Sequence, residues 1–327
     1  MLLPVYSTSS SSNSRTYVHR DRLSAEELLI QDYFANNTKF TDDQFIRRFR
    51  MGRALFLKIK CISAIRQLAY GNTANPLDEY LNMSEWVSRE SLYNFCYGIV
   101  KLYGDEYLRK PTSNDIQLLY DAHETRHGFP GMLGSIDCTH WEWRSCPTRL
   151  RGQYQTRNHR HPSIMLEAIA SQDLWIWHAF LLNGEEYKHG YYLAYGIYPT
   201  WETMVKSYPH PVTAKKIRFK HAQEVARKDV ERAFGVLKSR WAIISLPARA
   251  KSVNRCKDIM YACIILHNMI LKDQCDAICP EHNPDLPTEV EVDEDLILEL
   301  RNPVIHVEHR SNLVNHIEHV YIPALDN

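Results

Sequence analysis

The 327-residue chain has no apolar run of about 18 residues, the length a helix needs to cross a bilayer, so a membrane span is not expected. Met1 to Tyr6 is too short for a secretory signal. No CxxC pair occurs among the eight cysteines, at positions 61, 96, 138, 146, 256, 263, 275 and 279, which leaves neither a redox motif nor a zinc ribbon supported. Cys138 and Cys263 fall in apolar stretches, as reduced, buried cysteines do. Formal net charge is zero, from 39 basic and 39 acidic residues, so no global field draws the chain to nucleic acid. These absences point to an intracellular protein.

The charge that is present is uneven. Residues 215–240 hold nine Lys or Arg against three acids, whereas 281–300 hold eight acids and no Lys or Arg. A basic contact surface followed by an acidic tail fits this asymmetry; a solvated helix and a disordered tail fit it equally.

Low-complexity residues 1–20, with STSSSSNS at 7–14, are expected to be disordered. Residues 21–120 read as helical. RLSAEELLIQDYF (22–34) has Ser24 as N-cap and Glu27 three residues on. TDDQFIRRFRMGRALFLKIK (41–60) spaces Phe45, Phe49, Leu55 and Ile59 as a helix does, and SAIRQLAYG (63–71) closes on Gly71. SRESLYNFCYGIVKLYG (88–104) opens near Ser88–Ser91 and ends at Gly104. The period changes at Gly131. MLGSIDCTHWEW, SIMLEAIAS (163–171), LWIWHAFLL (174–182) and YYLAYG (191–196) read as four strands, the middle two linked at Gln172–Asp173. Helices over about 213–240 and 257–273 close a domain at 121–273, giving an α/β mixed sheet flanked by helices. Residues 274–327 form an acidic, His-rich tail. There His306, His309, His316 and His319, or Cys275, Cys279 and His282, can be read as zinc ligands, or the segment as a solvent-facing amphipathic helix.

Asp137 lies inside an apolar strand, where a carboxylate is costly unless something binds it. Thr139 shares its face, and Glu142 points to the other. Glu231 sits on a basic helix with Ala222, Ala226, Val230, Phe234 and Leu237 as its apolar stripe. Arg227 and Gly235 lie one turn either side and Lys238 two turns on; a glycine there would admit a phosphate backbone. The plainer reading is an Arg227–Glu231 surface ion pair. Three or four converging carboxylates would hold two Mg²⁺ ions for phosphodiester chemistry.

Seven strings, RFRMGRALFLKI (48–59), AIRQLAYG (64–71), DEYLNM (78–83), GMLGSIDCTHWEWRSCP (131–147), GYYLAYGIYP (190–199), ARKDVERAFGVLKSRWAII (226–244) and IMYACIILHNMI (259–270), resemble in order the PIF/Harbinger-type transposases, over roughly residues 15–272. The resemblance implies an RNase H-like fold and a metal-dependent DNA endonuclease with a D-D-E site using Mg²⁺ or Mn²⁺. It places the first Asp at Asp137 and the Glu at Glu231, both as catalytic metal ligands. At the second Asp this chain has Tyr195, in LAYGIYP, and a phenol is a poor Mg²⁺ ligand at neutral pH. Asp173, Glu167, Glu185 and Glu186 are the substitutes to weigh, with Asp173 expected at the wrong end of the sheet. The stretch before Gly190 is also shorter than in the family. The resemblance further implies a helix-turn-helix-like unit within 21–120 and DNA as partner. Arg227, Lys228, Arg232, Lys238 and Arg240 would contact that DNA, a Myb-like DNA-binding protein would assist, and the protein would lie in the nucleus and cytoplasm. Two functions follow as expectations: a catalytically impaired module that binds DNA or protein, or an active divalent-metal endonuclease.

Overall fold

The computed structural model describes residues 39, 41–49, 53–71, 84–155, 160–180, 190–201, 203–281 and 303–326. The expected helix at 22–34, the low-complexity start, Glu185, Glu186, His282 and nearly all of the acidic run lie outside them. Residues 1–59 and 60–327 are two compact units. In the first, α1 (Asp42–Phe49) opens on a reciprocal cap: Gln44 N donates to Thr41 Oγ1 and Thr41 N to Gln44 Oε1.

Helix α2 (Arg53–Tyr70) runs unbroken through the interval between the two helices expected at 41–60 and 63–71. It does stop at Gly71, whose φ of +61° is the left-handed geometry a Cβ resists. Helix α3 (Glu85–Tyr107) begins earlier than expected. Ser84 caps it, and Ser88 is an interior residue whose hydroxyl meets Ser63 Oγ at 2.8 Å. Gly104 is also interior, so the helix passes both expected boundaries. Its Leu92, Tyr93 and Cys96 are buried against α7 (Val253–Asp273), with Arg255 forked onto Glu90. Helix α4 (Ser113–His127) carries a full capping box from Thr112 and Asp115 and ends on Gly128 at φ +71°.

The sheet holds β1 (Met132–Glu142), β2 (Ser163–Ala170), β3 (Ile176–Phe180), β4 (Tyr191–Ala194) and β5 (Met204–Lys206), in spatial order β3-β2-β1-β4-β5. The first three pair antiparallel, and β4 and β5 join β1 in parallel. Fold class is α/β, a mixed sheet flanked by helices. Four strands follow the sequence reading; β5 is a correction, because three residues are too few to show an alternation. A short helix α5 (Arg151–Tyr154) follows β1.

Helix α6 (Ala214–Arg240) lies across one sheet face, burying Ala222, Ala226, Val230, Phe234 and Leu237 as the stripe required. The opposite face is covered by Leu119 of α4 and by Ile278 and Cys279 beyond α7. Of the two cysteines expected to be buried, Cys263 is buried and Cys138, midway along β1, only half-buried. No helix among the described residues is long and apolar enough to cross a membrane.

The histidine-rich segment forms α8 (Pro303–His319), followed by α9 (Pro323–Asp326). It is not a solvent-facing tail. Leu313, Val314 and Ile317 are buried against Phe219 and Ala222 of α6. Arg218 locks the segment down, donating to the carbonyls of Ile317 and Val320 and, through both Nη atoms at 2.7 Å, to Asp326. The carboxyl of Asp326 is held low, to about 2, by that fork.

Candidate functional site

Strands β1 and β4 run parallel side by side with Ser135 opposite Leu193, so the C-terminal end of β4 brings the residue after Ala194 beside Asp137, midway along β1. That residue is Tyr195. Helix α6 crosses above them, tied to β1 by Ser135 Oγ donating to the Ala226 carbonyl and to β4 by Gln223 Nε2 donating to the Ala194 carbonyl. One turn of α6 therefore hangs over both strands, and Arg227 is the side chain it lowers between them.

The guanidinium of Arg227 meets all three positions. Its Nη1 donates to Asp137 Oδ2 at 3.2 Å and its Nη2 lies 2.7 Å from Glu231 Oε1. Its Cζ stands 5.2 Å from the centre of the Tyr195 ring, within cation–π range. The other oxygen of Asp137 accepts from the Cys138 backbone at 2.8 Å. Arg227 is 14% exposed, Asp137 22% and Glu231 47%, so the bridge becomes drier toward the strand. The i,i+4 ion pair is present, yet it is more than a surface pair, because the same guanidinium neutralises a carboxylate on the sheet. That triple role was missed from sequence; its only local signal was the four-residue spacing.

The other expected cations are dispersed. Lys238 Nζ donates to Thr139 Oγ1 at 2.7 Å, and burial lowers its pKa. Arg240 turns away to His267 Nδ1 at 3.0 Å and to Gln274. Arg232 is paired with the fully buried Asp229, which also accepts from His127 Nε2 at 2.8 Å. That buried His127–Asp229 link, joining α4 to α6, had no sequence signal. Lys228 is exposed, and a cleft of about 290 Å³ opens beside it, lined by Tyr195, Ser207, His221, Gln223 and Arg227. Gly235 is open: a Cβ there would touch nothing.

Of the substitute carboxylates, Glu167 pairs in register with Cys138 and so points to the opposite sheet face from Asp137. There burial, then Glu167 itself, raises the phenol pKa of Tyr198. Asp173 lies at the far end of the sheet, as expected, where Trp175 N and Ile278 N donate to it and Ser171 Oγ makes a third bond. Among the described residues no three His, Cys, Asp or Glu side chains come together as a metal-holding group. The strand-end arrangement supplies two carboxylates, a guanidinium and a phenol.

A family model described as plant transposon protein matches residues 105–183 and 180–278, just over half of the chain, including Asp137, Tyr195 and Glu231. The chain belongs to the plant transposon protein family. A second model, described only as a domain of unknown function, matches residues 26–60 of this plant transposon protein. No curated protein and no solved structure is matched.

Proposed function

We propose that this plant transposon protein is a Harbinger-type, RNase H-like derivative whose D-D-E site no longer holds catalytic metal, and that it acts as a nuclear module holding DNA. The observation that carries this reading is the Arg227 guanidinium bridging Asp137 and Glu231 beneath Tyr195. A two-metal site needs at least three carboxylates around hard cations. Here the third position is a phenol, and Glu167 faces the wrong side. The residues at the site do not fit a pair of Mg²⁺ or Mn²⁺ ions. A cation entering between Asp137 and Glu231 would also have to displace two charge-assisted hydrogen bonds, each of about 1.5–3 kcal/mol. With its inner carboxylates neutralised, the strand end repels a phosphate backbone less than bare acids would, and Lys228 lies beside it.

The alternative, an active endonuclease, rests on the survival of Asp137 and Glu231. Incubation of supercoiled plasmid with Mn²⁺ separates the two. The natural protein is expected to retard plasmid in EDTA and to leave it uncut with Mn²⁺, whereas Tyr195→Asp, restoring the third carboxylate, is expected to nick it. Nicking by the natural protein that disappears in Glu231→Gln would overturn the proposal in favour of the endonuclease.

A further inference from the structure

Away from the strand-end site, the first turns of α8 lie against β5 and the loop that follows it. His306 is 3% exposed, and its Nδ1 donates to the Trp201 carbonyl at 2.8 Å, which commits the neutral ring to that tautomer. Its Nε2 is buried and has no partner among the described residues. Neither has the buried Nε of Arg310 nor the buried Nδ1 of His309. Among the described residues these three buried nitrogens on one face of a single helix lack partners, which is costly, and Arg310 Nε, always a donor, calls for an acceptor.

The surroundings are cationic. Arg310 stacks on the Tyr208 ring at 4.1 Å, and Lys216 of α6 reaches the same ring at 4.9 Å. Lys206 of β5 donates to the Tyr198 carbonyl at 2.8 Å, which leaves it two further N–H donors. His309 packs edge-on against Tyr191 of β4. The pKa of His306 is lowered by burial first and then by Arg310, Lys206 and His309; that of Lys206 is lowered by burial and then by Arg310. Among the described residues no carboxylate pairs with this group; Glu308 is on the exposed side of α8. Among the described residues positive charge is thus concentrated here and part-buried.

We propose that Arg310, His306, His309 and Lys206 form a binding site for a tetrahedral oxyanion, the phosphate of a nucleic-acid backbone or of a small phosphate compound. Arg310 Nε and Lys206 Nζ supply charged donors, and charge-assisted hydrogen bonds suit a phosphate or sulfate oxygen. His306 Nε2 carries only a lone pair while the ring is neutral, so it can join the anion only by taking up a proton. Binding is therefore coupled to protonation and tightens as pH falls. The reading is independent of the state of the strand-end site.

Calorimetric titration of the full-length protein with sulfate, which stays a dianion over this range, is performed at about pH 7.5 and about pH 5.5, either side of the ordinary histidine value. Sulfate is expected to bind several-fold more tightly at the lower pH, with proton uptake seen as buffer-dependent heat. Arg310→Gln is expected to weaken it about tenfold or more. His306→Asn keeps a donor for Trp201 but removes Nε2, so it should bind at neutral pH without the acid tightening. Lys206→Gln, which keeps a donor for Tyr198, gives a second charge deletion if Arg310→Gln melts early. Absence of sulfate binding at both pH values, or an affinity in Arg310→Gln and Lys206→Gln equal to that of the natural protein, overturns the site. Displacement of sulfate by a short DNA duplex, or by a mononucleotide but not the duplex, upholds it and assigns the phosphate to one source or the other.

Discussion

At Asp137 the strand alternation turns a carboxylate toward the underside of α6, and Arg227 is the group that makes this tolerable. Removing one member of a part-buried ion pair leaves the other unpaired, which costs more than the pair itself contributes. Arg227→Gln is therefore expected to lower stability by about 1–3 kcal/mol at neutral pH, read by urea unfolding. Glu231→Gln should cost less, because Glu231 is half in water and its contribution is screened. An equal loss in the two variants would mean that Asp137 does not depend on Arg227. Both carboxylates and the tyrosine were visible from sequence because each sits in a local string of its own. The meeting of all three at one guanidinium was not visible, since it depends on β4 lying parallel beside β1 and on α6 crossing both.

Among elements, β3 is the antiparallel edge of the sheet, and an open edge invites pairing with another chain. Here α7 closes it with one side chain. Asn268 accepts from Ile176 N through Oδ1 at 3.1 Å and donates through Nδ2 to the Ile176 and Tyr107 carbonyls at 2.8 Å. Asn268→Ala leaves three backbone groups without partners, and a loss of about 2–4 kcal/mol is expected in denaturant titration. Aggregation on mild heating should accompany it, and a variant as stable as the natural chain would show that α7 does not protect the edge through this amide. The succession of β1–β4 along the chain and the approximate extents of α6 and α7 were legible from hydrophobic periodicity, whereas the order of the strands in the sheet was not. The docking of α8 was not, because its buried apolar residues, Leu313, Val314 and Ile317, stand amid histidines and make too narrow a stripe to distinguish from a solvated helix. Ser88 and Gly104 misled for a related reason: boundary residues inside a helix are tolerated where packing against α2 and α7 outweighs propensity.

On the scale of the whole molecule, the buried histidines set how stability responds to acid. Burial lowers the pKa of His123 to about 4, helped by neighbouring His127, and burial also holds His267 at about 4. His123 is fixed by the Leu119 carbonyl and the Gln172 amide; His267 donates to the Leu174 carbonyl and accepts from Arg240. In the unfolded chain both titrate near 6.5. Because the folded values are depressed, the unfolded state takes up protons first as pH falls. The stability these rings contribute is present above about pH 6.5 and is lost progressively down to about pH 4, by at most roughly 3 kcal/mol for each ring. Asp115 does not act in that window. Burial would raise it, but Arg109 and Thr112 hold it below its ordinary value, so its share is lost only at lower pH. Asp173, raised by burial, opposes the trend over the lower part of the range. Urea midpoints are therefore expected to fall from about pH 7.5 to about pH 5. His267→Gln isolates one ring, since a glutamine amide can donate to Leu174 and accept from Arg240 without titrating. If the midpoint of His267→Gln falls with pH as steeply as that of the natural protein, the histidine is charged in the folded state, and its burial beside Arg240 does not shape the acid response.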